Sequence, residues 1–70
     1  MYYKLNLKVL NLVMIKKGYS INELARKSGV GKATISRLIR DKVISRPSTI
    51  FKIAKALEID VEEILLEVEE

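Results

Sequence analysis

The stretch Ser20-Ile21-Asn22-Glu23-Leu24-Ala25-Arg26-Lys27-Ser28-Gly29-Val30-Gly31-Lys32-Ala33-Thr34-Ile35-Ser36-Arg37-Leu38-Ile39-Arg40 decides the fold. Its start is marked twice: Ser20 stands three residues before Glu23, the spacing of a capping box, and Tyr19 and Leu24 are spaced as a hydrophobic staple. A helix is therefore expected from Ile21 to Ser28. Gly29 reaches the positive φ that closes a helix at little cost, and Gly31, one residue further on, is placed to cap a second helix from Lys32 to about Arg40. Two short helices thus meet across a three-residue turn.

Packing such a pair at a steep angle asks for a small residue at the crossing, a turn residue tolerant of positive φ, and apolar residues toward the rest of the domain. Ala25, Gly29 and the set Leu24, Val30, Ile35 and Leu38 meet these demands. Ser28 is the weak member, because the inward position before the turn glycine favours a larger apolar side chain. With Ile35, Leu38 and Ile39 turned inward, Ala33, Ser36, Arg37 and Arg40 follow i, i+3, i+4, i+7 on the opposite side, and Lys32 projects from the helix start. The result is a basic, hydrogen-bonding stripe on an element narrow enough for a DNA major groove. Arg and Lys donate to guanine O6 and N7, Ser36 and Thr34 bond base edges or phosphate, and Ala33 meets a thymine methyl.

Working outward, Asn6 caps and Gly18 closes a helix from about Leu7 to Lys17. Tyr3, Leu5, Leu7 and Val9 alternate with Lys4, Asn6 and Lys8 as a strand would, a pattern expected to cover only the opening residues. Residues 41 to 46 form a polar, basic loop. Pro47-Ser48 opens a helix with Ile50, Ile53, Ala54 and Leu57 on its inner stripe. A last, acidic helix over residues 60–70 is expected from the Asp60/Glu63 cap and the Ile59/Ile64 staple. The expected architecture is an all-α, five-helix single domain over residues 1–70.

Seventy residues leave room for one small core, and 49% apolar against 31% charged residues describe a globular chain rather than a disordered one. No Cys and no His means no disulfide framework, no Cys/His zinc site, no thiol nucleophile and no imidazole base. An enzyme, a cofactor and a metal are not expected. The net charge of +4 conceals a partition: residues 1 to 57 hold all 13 Lys and Arg against Glu23 and Asp41, whereas residues 58 to 70 hold seven acids and no base. A basic body calls for a polyanionic partner. Met1-Tyr2-Tyr3-Lys4 does not begin a secretory signal, and the longest apolar run, Leu12-Val13-Met14-Ile15, is far short of the roughly 20 residues that span a bilayer, so a cytoplasmic location without membrane attachment is expected.

The segment resembles the helix-turn-helix of the Cro and lambda-repressor family of prokaryotic and phage transcriptional regulators. The resemblance extends through Lys17-Gly18-Tyr19-Ser20, Ile35-Ser36-Arg37, Pro47-Ser48 and Ile53-Ala54-Lys55-Ala56-Leu57, over about residues 5 to 66. It implies a regulator, most simply a repressor, that binds double-stranded DNA at a palindromic operator as a homodimer with half-sites about one helical turn apart. Carried over by position, Lys32, Ala33, Thr34, Ser36 and Arg37 are the base contacts, and Ser20, Ile21, Arg40, Lys42, Arg46 and Ser48 the phosphate contacts.

Three departures matter. Ile21 replaces a common Gln, which reduces its contact to a backbone N–H; the loop after Arg40 is a residue or two longer than usual; and Met14 with Ile39 replaces a frequent Arg/Glu pair, implying an apolar contact instead of an ion pair. Leu5, Val9 and Leu12 form a second apolar side on the first helix, and Val61, Leu65 and Val68 an apolar side on the last. Either the last helix folds over the first within one subunit or these surfaces build a homodimer. An alternative function is a protein-interaction module, such as an antitoxin-like or antirepressor subunit. Gly29-Val30-Gly31-Lys32-Ala33-Thr34 lacks the earlier glycine and following Ser/Thr of a phosphate-binding loop, and Asp60, Glu62 and Glu63 lack the spacing of a calcium loop.

Overall fold

A computed structural model describes residues 2–41 and 46–68. The elements in chain order are β1 (Tyr2–Leu5), α1 (Leu7–Lys17), α2 (Ile21–Ser28), α3 (Lys32–Asp41), α4 (Pro47–Leu57), α5 (Val61–Ile64) and β2 (Leu65–Val68). Among the described residues five helices carry the fold, as expected, and a two-stranded antiparallel ribbon is added to them. Among the described residues no helix is long and apolar enough to cross a membrane.

Local chemistry accounts for the helix ends. Asn6 Oδ1 accepts from the Val9 N–H at 3.4 Å, and Ser20 Oγ accepts from the Glu23 N–H at 3.2 Å. The Glu23 carboxylate bonds forward to Arg26 Nη2 at 2.8 Å, one helical turn along. Gly18, at φ 71, ends α1 with paired bonds from its own N–H to the Ile15 carbonyl and from the Tyr19 N–H to the Met14 carbonyl. Gly29, at φ 76, ends α2 with one bond to the Ala25 carbonyl. Ile35 N–H donates to the Gly31 carbonyl at 3.0 Å, the first backbone bond of α3, as a capping residue's carbonyl should accept.

The core gathers Leu10 and Met14 of α1, Leu24 of α2, Val30 of the turn, Ile35 and Leu38 of α3, Ile50, Ile53, Ala54 and Leu57 of α4, and Ile64 of α5, with Leu5 from β1. Of the apolar residues assigned inward in the helix pair, Leu24, Val30, Ile35 and Leu38 are buried there. Ile39 is half-buried against the same core as Met14, so the position of the frequent ion pair is apolar.

The end of the chain corrects the expectation of a helix over residues 60–70. The cap forms, with Glu63 Oε2 accepting from the Asp60 N–H at 3.0 Å, but the helix stops at Ile64 and the backbone turns extended at Leu65. Two backbone interactions explain the stop. Asn6 N–H takes the Ile64 carbonyl at 2.7 Å, and the following residues pair with β1 in the register Leu5↔Leu65, Lys4↔Leu66, Tyr3↔Glu67 and Tyr2↔Val68. The strand alternation read at the start of the chain was therefore real, and its partner is the end of the chain. Leu5 is accordingly buried in the core rather than on an outer helix side, Val9 is half-buried, and Leu12 remains exposed. Ile64 is wholly buried, and Val61 and Leu65 pack on the same core, so this segment folds over α1 within one subunit.

Candidate nucleic-acid interface

The interface is built on α3, which two buried side chains, Ile35 and Leu38, fix to the core from one side. Its other side carries Lys32, Ala33, Thr34, Arg37 and Arg40, all exposed, with Ser36 half-buried. The three-residue turn that aims this helix is held by Ser28. Its hydroxyl accepts from the Val30 N–H at 3.1 Å and donates to the Ala25 carbonyl at 3.5 Å, so the residue that seemed a poor apolar filler is a hydrogen-bonding brace.

Four of the expected phosphate contacts, Ser20, Ile21, Arg46 and Ser48, sit at helix starts. Ser20 is exposed, and while its Oγ accepts the cap bond of α2 its rotatable O–H stays able to donate to a phosphate. Ile21 packs its side chain on the core, and as the first residue of α2 it has an N–H that no preceding turn of the helix satisfies. Arg46 is the N-cap of α4 in an extended conformation, with its carbonyl accepting from the Thr49 and Ile50 N–H groups at 3.0 and 3.2 Å. Its side chain and that of Ser48 are exposed. With Pro47 at the first helical position, the Ser48 N–H is the first donor of the helix. Lys42 lies outside the described residues.

Two further interactions brace the scaffold behind this face. Lys27 Nζ sits 5.3 Å from the centroid of the Tyr19 ring, tying the end of α2 to its beginning. Lys17 Nζ bonds Glu58 Oε1 at 2.8 Å, joining the end of α1 to the end of α4. That hydrogen bond raises the Lys17 ammonium above its ordinary value and lowers the Glu58 carboxyl below its own. Sequence reasoning missed a second basic surface, formed by Lys27 together with Lys52 and Lys55 of α4. Its signal was present: Ser48, Phe51, Lys52 and Lys55 recur at i, i+3, i+4, i+7, opposite the inner stripe of the same helix.

Residues 10–64 match the helix-turn-helix family across all five helices apart from the first turn of α1. The chain belongs to this family. Every expected contact from Ser20 to Ser48 falls inside the matched span, whereas β1 and β2 lie outside it. The chain is 39% identical over 59 residues to the HTH-type transcriptional regulator SlrR of Bacillus subtilis (strain 168), covering 81% of this chain and 38% of that protein. It thus spans well under half the length of that relative. Among solved structures, the restriction-modification controller protein C.AhdI from Aeromonas hydrophila shares the fold with a TM-score of 0.74 and 28% identity, over 81% of this chain and 86% of that one.

Proposed function

We propose that this chain reads a specific double-stranded DNA sequence with α3 in the major groove, as a homodimer on a palindromic operator, and regulates transcription by repression. The observation that carries this reading is the stripe of exposed Lys32, Ala33, Thr34 and Arg37 with half-buried Ser36 on a helix pinned to the core by Ile35 and Leu38. Lys32 and Arg37 supply the guanine contacts, Thr34 and Ser36 the shorter hydrogen bonds, and Ala33 the methyl contact. Ser20, the Ile21 N–H, Arg40, Lys42, Arg46 and Ser48 hold the phosphates and set the register. The role is binding alone, without catalysis, in the cytoplasm.

Selection of duplexes from a random pool by mobility shift, followed by affinity measurements on variants, tests the assignment. Arg37→Ala should cost about 1 to 3 kcal/mol on the selected site and relax preference at one base pair, while Lys42→Ala weakens all sequences alike. Unchanged affinity and preference in Arg37→Ala would remove α3 from the role of reader.

A further inference from the structure

A single bond sets the hydrogen-bond phase of the ribbon. Asn6 N–H donates to the Ile64 carbonyl at 2.7 Å, and the next residues, Leu5 and Leu65, stand opposite each other. In an antiparallel ladder, opposed residues bracketed by such a bond form a non-hydrogen-bonded pair, and bonded and non-bonded pairs alternate from there. Leu5↔Leu65 and Tyr3↔Glu67 are therefore non-bonded pairs, and Lys4↔Leu66 and Tyr2↔Val68 exchange the ladder bonds. The N–H and C=O groups of Leu65 and Glu67 consequently point away from β1, along the outer edge of β2. Among the described residues no third strand borders that edge. Between the two outward-pointing residues lies Leu66, whose side chain is 44% exposed.

Such an edge is complementary to itself. We propose that β2 pairs antiparallel with β2 of a second copy about a two-fold axis at Leu66, making a four-stranded sheet β1-β2-β2-β1 across the homodimer. The inference rests on the homodimer reading above and names its contact. On each side of the axis Leu65 lies opposite the partner's Glu67 and the pair exchanges two backbone bonds. The two Leu66 side chains, exposed in the single chain, meet on the axis as a non-hydrogen-bonded pair, the closer of the two cross-strand geometries. Neighbouring registers in the same phase are poorer. An axis at Glu67 makes an acid its own cross-strand neighbour, and one at Leu65 runs into α5 after a single bonded pair. Lys4, paired with Leu66 inside the ribbon, ends three strand spacings from its counterpart. That is about 14 Å, beyond the Debye length of about 8 Å at physiological salt, so the basic flank does not oppose the contact. A two-stranded ribbon is marginal alone, and widening it to four strands supports it. The edge is short, so free copies associate weakly and a palindromic duplex that holds both tightens the contact. Being isologous, the contact closes at two subunits.

The chain has no cysteine, so a single introduced thiol reports the axis. Leu66→Cys should form an intermolecular disulfide under mild oxidation, because a non-hydrogen-bonded pair brings its Cα atoms to about 4.5 Å, within disulfide reach. Leu12→Cys, on the exposed side of α1, is the control and should cross-link at least about tenfold more slowly. In a second arm, Glu67→Pro removes the outward N–H while the phase leaves the bonds of Leu66 and Val68 to β1 in place. On the selected palindromic duplex it should raise the concentration at half-saturation about tenfold or more, with binding to an isolated half-site unchanged. Circular dichroism melts verify that each variant folds, and the cross-linking arm does not depend on the proline variant. Equal cross-linking at the two positions overturns the edge pairing. So does a folded Glu67→Pro variant that fills both half-sites as cooperatively as the unaltered chain, a result that leaves the homodimer intact with its contact elsewhere. An unaltered chain that occupies each half-site independently overturns the homodimer reading itself.

Discussion

Glu58 ends α4 at φ 59, ψ 40, a left-handed conformation that side chains with a Cβ reach only at a cost. It closes the helix as a glycine would, its N–H donating to the Lys55 carbonyl and the Ile59 N–H to the Ala54 carbonyl, both at 3.1 Å. The bond from Lys17 accompanies this strained position. That bond lowers the Glu58 carboxyl and raises the Lys17 ammonium, so the pair contributes fully at neutral pH. Its contribution is lost as pH falls through the folded-state carboxyl value, and again as pH rises through the folded-state ammonium value. Glu58→Gly removes both the strain and the pair. The gain in melting temperature should therefore be larger at a pH well below the ordinary carboxylate range, where the pair weakens as the carboxyl takes up its proton, than near about pH 7. Equal shifts at the two values would show that the pair adds nothing. By contrast, an added Cβ at Gly29 meets nothing within 4 Å. Gly29→Ala should cost only the backbone term, about 1 to 2 kcal/mol in chemical denaturation. Gly18 and Gly29 were legible as helix ends because glycine announces positive φ, while Glu58 gives no such sign in the sequence.

At the scale of elements, helices with a marked start and a glycine end, α1 and α2, have the limits their sequences state, and α3 and α4 follow from their stripes. The last helix misled for a definite reason. Val61, Leu65 and Val68 satisfy helical spacing, but after Ile64 the chain gains more by pairing its backbone with β1 than by continuing to bond to itself. A strand's partner sits at the far end of the sequence, and local periodicity carries no information about it. Burial separates the two halves of this segment energetically. Ile64→Ala, at a fully buried position, should destabilise by about 2 to 5 kcal/mol, whereas Leu66→Ala, at a half-exposed one, should stay within about 0.5 kcal/mol. Urea titrations of the two variants check the contrast, and similar midpoints would contradict the role of α5 as a core element.

For the whole molecule, the uneven charge is the main functional quantity. If two subunits each neutralise about four phosphates, the logarithm of affinity should fall with the logarithm of salt at a slope of roughly −7. A slope near half that value marks one subunit per site, and a slope near zero removes DNA as the polyanionic partner. The acidic residues stand mainly beyond α4, on a segment that packs over α1 and β1, while the expected contacts lie between Ser20 and Ser48. The sequence alone determined the four main helices, the turn between α2 and α3, the inward set of that pair and the basic stripe opposite it. All of these depend on neighbours within a few residues, where spacing and capping chemistry act directly. Only the tertiary structure decided that the two ends of the chain meet as a ribbon, that Leu5 and Ile64 share one core, that Ser28 braces the turn, and that Lys27 joins Lys52 and Lys55 in a groove. Those pairings join residues far apart in sequence or depend on a turn's final geometry, and only the folded chain brings their groups within reach.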